Sequence, residues 1–165
     1  MKKIILLTAC LLLTHLTIAK EVLGKSYKFD VPEYVQFDSK SKSDSYTFKW
    51  GDNSFKSTME VIQYIENGSP QVIESMAINM EMAMESLFNK FNLYEKVSKS
   101  RHETKFGKYE GKEIRFELNL KDKSKSYSTT FLLFDGINVW SVSLVSPKLE
   151  DTDFAKKILL TMTKK

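Results

Sequence analysis

The run from Ser69 to Tyr94, SPQVIESMAINMEMAMESLFNKFNLY, constrains the fold more than any other stretch. Ser69-Pro70 suits a helix start. A serine oxygen caps free backbone N–H groups, and proline fits the first helical position because its missing N–H would be unpaired there. At 100° per residue, Ile73, Met76, Ala77, Met80, Ala83, Met84, Leu87, Phe88 and Phe91 share one face. Glu74, Ser75, Asn79, Glu81, Glu85, Ser86 and Asn89 fall opposite. Acids lie toward the start and Lys90 and Lys96 toward the end, the order a helix dipole favours. The pattern predicts one helix of about seven turns, with the rest of the chain as sheet covering its apolar face. Ile78 and Met82 break the pattern. Both point to the polar side, one turn apart, and form a candidate patch for a protein partner. Met76, Met80, Met82 and Met84 invite a soft-metal or pliable-ligand reading. Methionine on an apolar face is more often a flexible core filler.

Before this helix, Ser26–Val31 alternates Tyr27, Phe29 and Val31 against Lys28 and Asp30, a strand pattern that Pro32 interrupts. Tyr34–Phe37 resumes it. Asp38–Ser45 is a polar turn, Tyr46–Trp50 a second strand, and Phe55–Ile65 a third extended run. After the helix, strands are expected over Arg101–Tyr109, Glu113–Leu120, Ser126–Phe134 and Asn138–Ser146. Glu110-Gly111 reads as a tight turn and Asp135-Gly136 as a hairpin. Glu113–Leu120 shows one apolar and one charged face, whereas the last strand has little polar content and should be central. Phe154, Ala155, Ile158, Leu159 and Met162 recur at helical spacing behind Glu150, Asp151 and Asp153, which offer capping oxygens. The expected fold is α+β: an antiparallel or mixed β-sheet of about six to seven strands packed against a long central helix and a C-terminal helix.

The chain opens Met-Lys-Lys and continues IILLTACLLLTHLTIA. A positive end, a short apolar core and small residues at Thr17 and Ala19 read as a signal peptide over residues 1–19. Residues 20–165 then form a single α+β domain in a periplasmic or secreted protein. The apolar run is short and limited by His15 and Lys20, so a retained membrane span is the weaker reading. Leu7-Thr8-Ala9-Cys10 resembles a lipidation box, but Leu11-Leu12-Leu13 continues the apolar run where a lipoprotein turns polar. With Cys10 removed, the mature chain has no disulfide and no thiolate chemistry. Net charge is +4 over the full sequence, and Lys2 and Lys3 leave with the leader. The remaining lysines are interleaved with acids, unlike the basic stripe of a nucleic-acid-binding protein.

Catalytic groups are sparse. His102 is the one histidine after the leader, flanked by Arg101 and Glu103. The acids Glu150, Asp151 and Asp153 lack the glycine and distal glutamate of a calcium loop. Tyr46, Trp50 and Trp140 would suit a sugar platform, but their alternation explains them as core. The residues therefore point to no cofactor, no metal and no enzymatic activity. The expected function is protein binding or chaperone-like assembly in the bacterial envelope, with another envelope or secreted protein as partner. The alternative is a carrier of a small apolar ligand in a cavity between helix and sheet.

Four segments, Tyr27-Lys28-Phe29-Asp30-Val31-Pro32, Tyr109-Glu110-Gly111-Lys112-Glu113, Phe134-Asp135-Gly136-Ile137-Asn138-Val139-Trp140 and Phe154–Met162, occur in the order and local wording of the Mog1/PsbP-like group. The chain resembles that group, which includes DcrB-type bacterial envelope proteins. The resemblance implies a non-catalytic binding or assembly role and carries over no site residues, because the group shares a fold more than a site.

N-terminal sequencing of the exported protein is expected to begin at Lys20 or within a few residues of it. An intact Met1, or a lipid on Cys10, would refute the leader.

Overall fold

Most of the chain alternates apolar and polar residues, and it folds accordingly into strands. The computed structural model describes residues 19–39, 44–52, 56–90 and 94–165. In chain order these form β1 (Ala19–Leu23), β2 (Tyr27–Pro32), β3 (Gln36–Ser39), β4 (Ser45–Gly51), β5 (Lys56–Ile65), α1 (Gln71–Lys90), β6 (Tyr94–Phe106), β7 (Tyr109–Leu120), β8 (Lys125–Phe134), β9 (Val139–Ser146), α2 (Asp151–Leu160) and β10 (Thr163–Lys164). Residues 1–18 of the leader, Cys10 among them, residues 40–43, Asn53, Phe55 and Phe91 lie outside the described residues.

Seven strands form one antiparallel sheet in the order β3-β4-β5-β9-β8-β7-β6. A smaller sheet has the order β1-β2-β10. The large sheet is covered on both faces by different elements. On one face, Phe48, Met59, Val61, Phe131, Leu133, Trp140, Val142 and Leu144 meet Phe29 and Val31 of β2 and Ala155, Ile158 and Leu159 of α2. On the other, Ile114, Phe116, Leu118 and Leu132 meet Ile73, Ala77 and Phe88 of α1. The layers are therefore α1, the seven-stranded sheet, and a composite of β1-β2-β10 with α2.

The first core is aromatic. Phe29 lies 5.0 Å from Phe48 and 5.1 Å from Tyr46, both edge-on, and Tyr27 stands edge-on to Trp140 at 5.0 Å. Such pairs contribute about 1 kcal/mol each beyond the area they bury. Tyr46, Trp50 and Trp140 are buried in this core, not arrayed on a surface.

The α+β class is as expected, and β9 is the middle strand. Several details differ. The main core lies on the sheet face away from the long helix. That helix is shorter than its pattern, about 30 Å at 1.5 Å per residue, and Tyr94 begins β6. Its seam also turns: Ile73, Ala77 and Phe88 are buried and Met76, Met80 and Met84 half-buried, but Ala83 and Leu87 are exposed. Beside that seam Glu81 reaches across to Lys99 and Arg101 of β6.

Lys20–Leu23, with no expected structure, pairs antiparallel with β2. Beyond Pro32 the chain does not resume β2 but crosses to the large sheet as β3. β6 starts well before Arg101, at the open edge, where charged residues tolerate two wet faces. Glu113 is not on a wet face: it is 5% exposed, takes Lys156 Nζ at 2.8 Å and also pairs with Arg115. After α2 the chain adds β10 to β2.

The tight turn lies at Gly107-Lys108 rather than Glu110-Gly111, with Gly107 at φ +54°. Gly111 sits inside β7, where a Cβ would come 1.9 Å from the Leu132 carbonyl oxygen. Gly111→Ala must displace backbone in β7 or β8 and is expected to cost about 2 kcal/mol or more. Gly136→Ala, where a Cβ meets nothing within 4 Å but φ is +96°, should cost about 1 kcal/mol. Denaturant midpoints of the two variants check the order.

Candidate functional site

Helix α1 is held to the sheet by a narrow apolar seam and a ladder of ion pairs along one flank. Glu74 pairs with Arg101 at 3.3 Å and Lys112 at 2.8 Å. Lys99 pairs with Glu81 at 3.1 Å and Glu85 at 2.6 Å, and Arg101 Nε lies 3.3 Å from Glu81 Oε1. The sheet partners are on β6 and β7. Neighbouring carboxylates raise the lysine pKa values, first Glu85 and then Glu81 at Lys99, and first Glu103 and then Glu74 at Lys112. Just above this flank, Ile78 is 44% and Met82 56% exposed. The pair stands on a rigid helix, flanked by anchored charges. About half of each residue is open to solvent.

The other residues singled out from sequence do not converge. His102 is exposed on the open edge strand. The acids before α2 have different duties. Glu150 occupies the cap position without a side-chain capping bond. Asp151 instead turns inward. Its Oδ1 accepts the Trp50 indole N–H at 3.0 Å, and its Oδ2 accepts the hydroxyls of Ser57, at 2.5 Å, and Ser146. One carboxylate thus joins β4, β5, β9 and α2. Burial opposes its ionisation, but the Ser146, Ser57 and Trp50 donors outweigh burial and hold its carboxyl below the ordinary aspartate value. Among the described residues no group of three or more His, Cys, Asp or Glu side chains is placed to hold a metal ion. No described helix is long and apolar enough to cross a membrane.

A second feature had no signal in the sequence. Tyr27 read as a strand residue and Asp135 and Asn138 as hairpin residues, yet they meet in a hollow built from six separate segments. A polar hollow of about 220 Å³ is lined by Ser26, Tyr27, Asp44, Gln63, Glu66, Asn67, Lys108, Asp135, Ile137, Asn138 and Lys164. Asp135 is spent on structure. Its Oδ1 accepts the N–H groups of Ile137 at 3.0 Å and Asn138 at 2.8 Å, and its Oδ2 accepts the Trp140 indole at 2.9 Å. Burial opposes ionisation here too, but those donors hold the carboxyl below its usual value. Asp44 is likewise occupied, by Tyr46 at 2.5 Å and by Ser26. The phenol of Tyr27 is pushed up, chiefly by burial and then by Asp135, Asp44 and Glu66.

No protein-family model matches the sequence, and no curated protein matches it. The fold is similar to that of a solved chain from Bacteroides thetaiotaomicron VPI-5482, with a TM-score of 0.52 at 12% identity. The match covers 84% of this chain and 45% of that one. This chain thus spans less than half the length of the solved chain it matches, and the likeness concerns the fold alone.

Asp151 carries a pH signature. A depressed carboxylate stabilises the fold above its unfolded pKa and loses that contribution as pH falls through the lower folded value. Stability should therefore fall below about pH 4, the unperturbed aspartate range. Asp151→Asn should lower stability at neutral pH by about 2 kcal/mol, the scale of hydrogen bonds to a charged group, and flatten the acid limb. Chemical denaturation from pH 3 to 7 measures both effects.

Proposed function

We propose that the protein is an exported, non-enzymatic binding factor that assists the assembly or stability of another envelope or secreted protein through helix α1. One observation carries this reading: Ile78 and Met82 are exposed on a helix whose flanking charges are already engaged with the sheet. An apolar centre with a polar rim is how protein interfaces are built. Rigid presentation limits the ordering cost of association. The signal-like residues 1–19 support export, and cleavage after Ala19 would leave β1 nearly whole. The resemblance to the Mog1/PsbP-like group supports an assembly role without assigning a partner.

Ile78→Ser with Met82→Ser is expected to leave the thermal midpoint within a degree or two, since exposed positions rarely change stability by more than about 0.5 kcal/mol. The same variant should lose a partner that co-purifies with the wild type. A large drop in midpoint would place the pair in the core and overturn the reading. Native mass spectrometry of freshly purified protein separates it from the carrier alternative. A single apo mass favours the binding factor, and a reproducible bound apolar mass favours the carrier.

A further inference from the structure

The polar hollow at the end of the sheet is not accounted for by packing alone. Its floor is made of buried groups that are poorly satisfied. Tyr27 is 5% and Asn138 7% exposed. The Asn138 amide N–H reaches the Tyr27 oxygen only at 3.5 Å, and the Gln63 amide reaches Asn138 Oδ1 at 3.5 Å. Both contacts are at the outer limit of a hydrogen bond. The third, from the Asn67 N–H to Asn138 Oδ1, is 3.3 Å. In its contact with Asn138 the phenol oxygen acts as acceptor, which leaves the O–H as a donor. Buried polar groups normally find full partners, and those left short of them are costly. Here they line an open hollow and are not sealed in the core.

The charges around the floor divide in two. Asp44 and Asp135 have their oxygens engaged by protein donors, as described above. Glu66 and Lys164 are exposed and make no ion pair in the described residues. Lys108 Nζ stands 4.0 Å from Asp135 Oδ2, at the limit of an ion pair. The groups with capacity left are therefore the Lys164 ammonium, the Lys108 ammonium held only loosely by Asp135, the Glu66 carboxylate, a phenol O–H and a carboxamide. That set offers donors to an anionic end and an acceptor to a cationic end. At about 30 Å³ per water-sized group, the hollow holds about seven such groups, the size of a small amino acid. The surrounding segments are loops and strand ends on a rigid sheet, where binding residues commonly sit.

We infer that this hollow binds a small zwitterion of the α-amino-acid type. Its carboxylate is received by Tyr27, Asn138 and the Lys108 and Lys164 ammonium groups, and its ammonium by Glu66. Ile137, 60% exposed at the rim, is placed to cover a short apolar side chain. This site is separate from the α1 surface, so its failure leaves the α1 reading standing.

The test is a titration of the mature protein with glycine, alanine and serine, followed by amide chemical shifts and thermal midpoint. At least one should give saturable shifts at Ile137, Asn138 and Asn67 at or below about 10 mM, a weak but specific affinity. N-acetylalanine and alanine methyl ester each lack one charge and should bind about tenfold more weakly, the scale of one charge-assisted hydrogen bond. Tyr27→Phe keeps the buried ring and should weaken binding by a similar factor. Glu66→Gln and Lys164→Ala, both at exposed positions, give the same readout if Tyr27→Phe does not fold. The inference is overturned if no free amino acid gives a saturable shift, if the blocked analogues bind equally well, or if the exposed variants bind as the wild type does.

Discussion

Phe131 and Leu132 are neighbours on β8, yet they belong to different cores. Successive side chains of a strand point to opposite faces, so a strand buried from Ser128 to Leu133 must be covered twice. The three layers follow from that requirement. β2 and α2 cover one face and α1 the other. Neither cover is sufficient alone, because each answers to a different set of β8 side chains. The adjacent strand divides in the same way: Val139 belongs to the core under α1 and its neighbour Trp140 to the other.

The layers are joined by a few buried charges at their margins. Asp151 ties α2 to three strands, Asp135 closes the β8–β9 hairpin over Trp140, and Glu113 links β7 to Lys156 of α2. A buried carboxylate is costly unless its oxygens receive donors. Each of these three does, and each has donors from more than one residue. They fix how the layers are aligned, while the apolar area between the layers supplies the adhesion. The zwitterion site inferred at the sheet end differs in this respect, since its floor groups lack close partners.

The parts legible in the sequence were those governed by local periodicity. The alternation of Tyr27, Phe29 and Val31, the Asp135-Gly136 turn, the apolar β9 and the terminal helix all follow from neighbours a few residues apart. The outward direction of Ile78 and Met82 was also visible, since it depends only on helical geometry. What was hidden depends on distant partners. Glu113 reads as solvent-facing until Lys156 is brought beside it, and Leu87 reads as core although the sheet leaves it 45% exposed. β6 carries Lys96, Lys99, Arg101 and Glu103 and has no burial pattern of its own. It becomes a strand by pairing with β7. Gly111 looks like turn punctuation, but its lack of a side chain serves the close approach of β8. The polar hollow could not be read at all, because its walls come from opposite ends of the chain.

The path of the chain across the large sheet has a kinetic consequence. After β5 the polypeptide leaves the sheet through α1, enters again at the far edge as β6, and works back strand by strand until β9 lies against β5. Val61 pairs with Val142 only at that last step. The hairpins from β6 to β9 close short loops, and each costs little entropy. Joining them to β4-β5 closes a loop that contains about half the described chain, and the cost of closure rises with its length. Assembly rate therefore depends mainly on that one seam, as expected where long-range pairing dominates topology. Substitutions along β5 and β9 that weaken early docking should act on the speed of folding as well as on its final equilibrium.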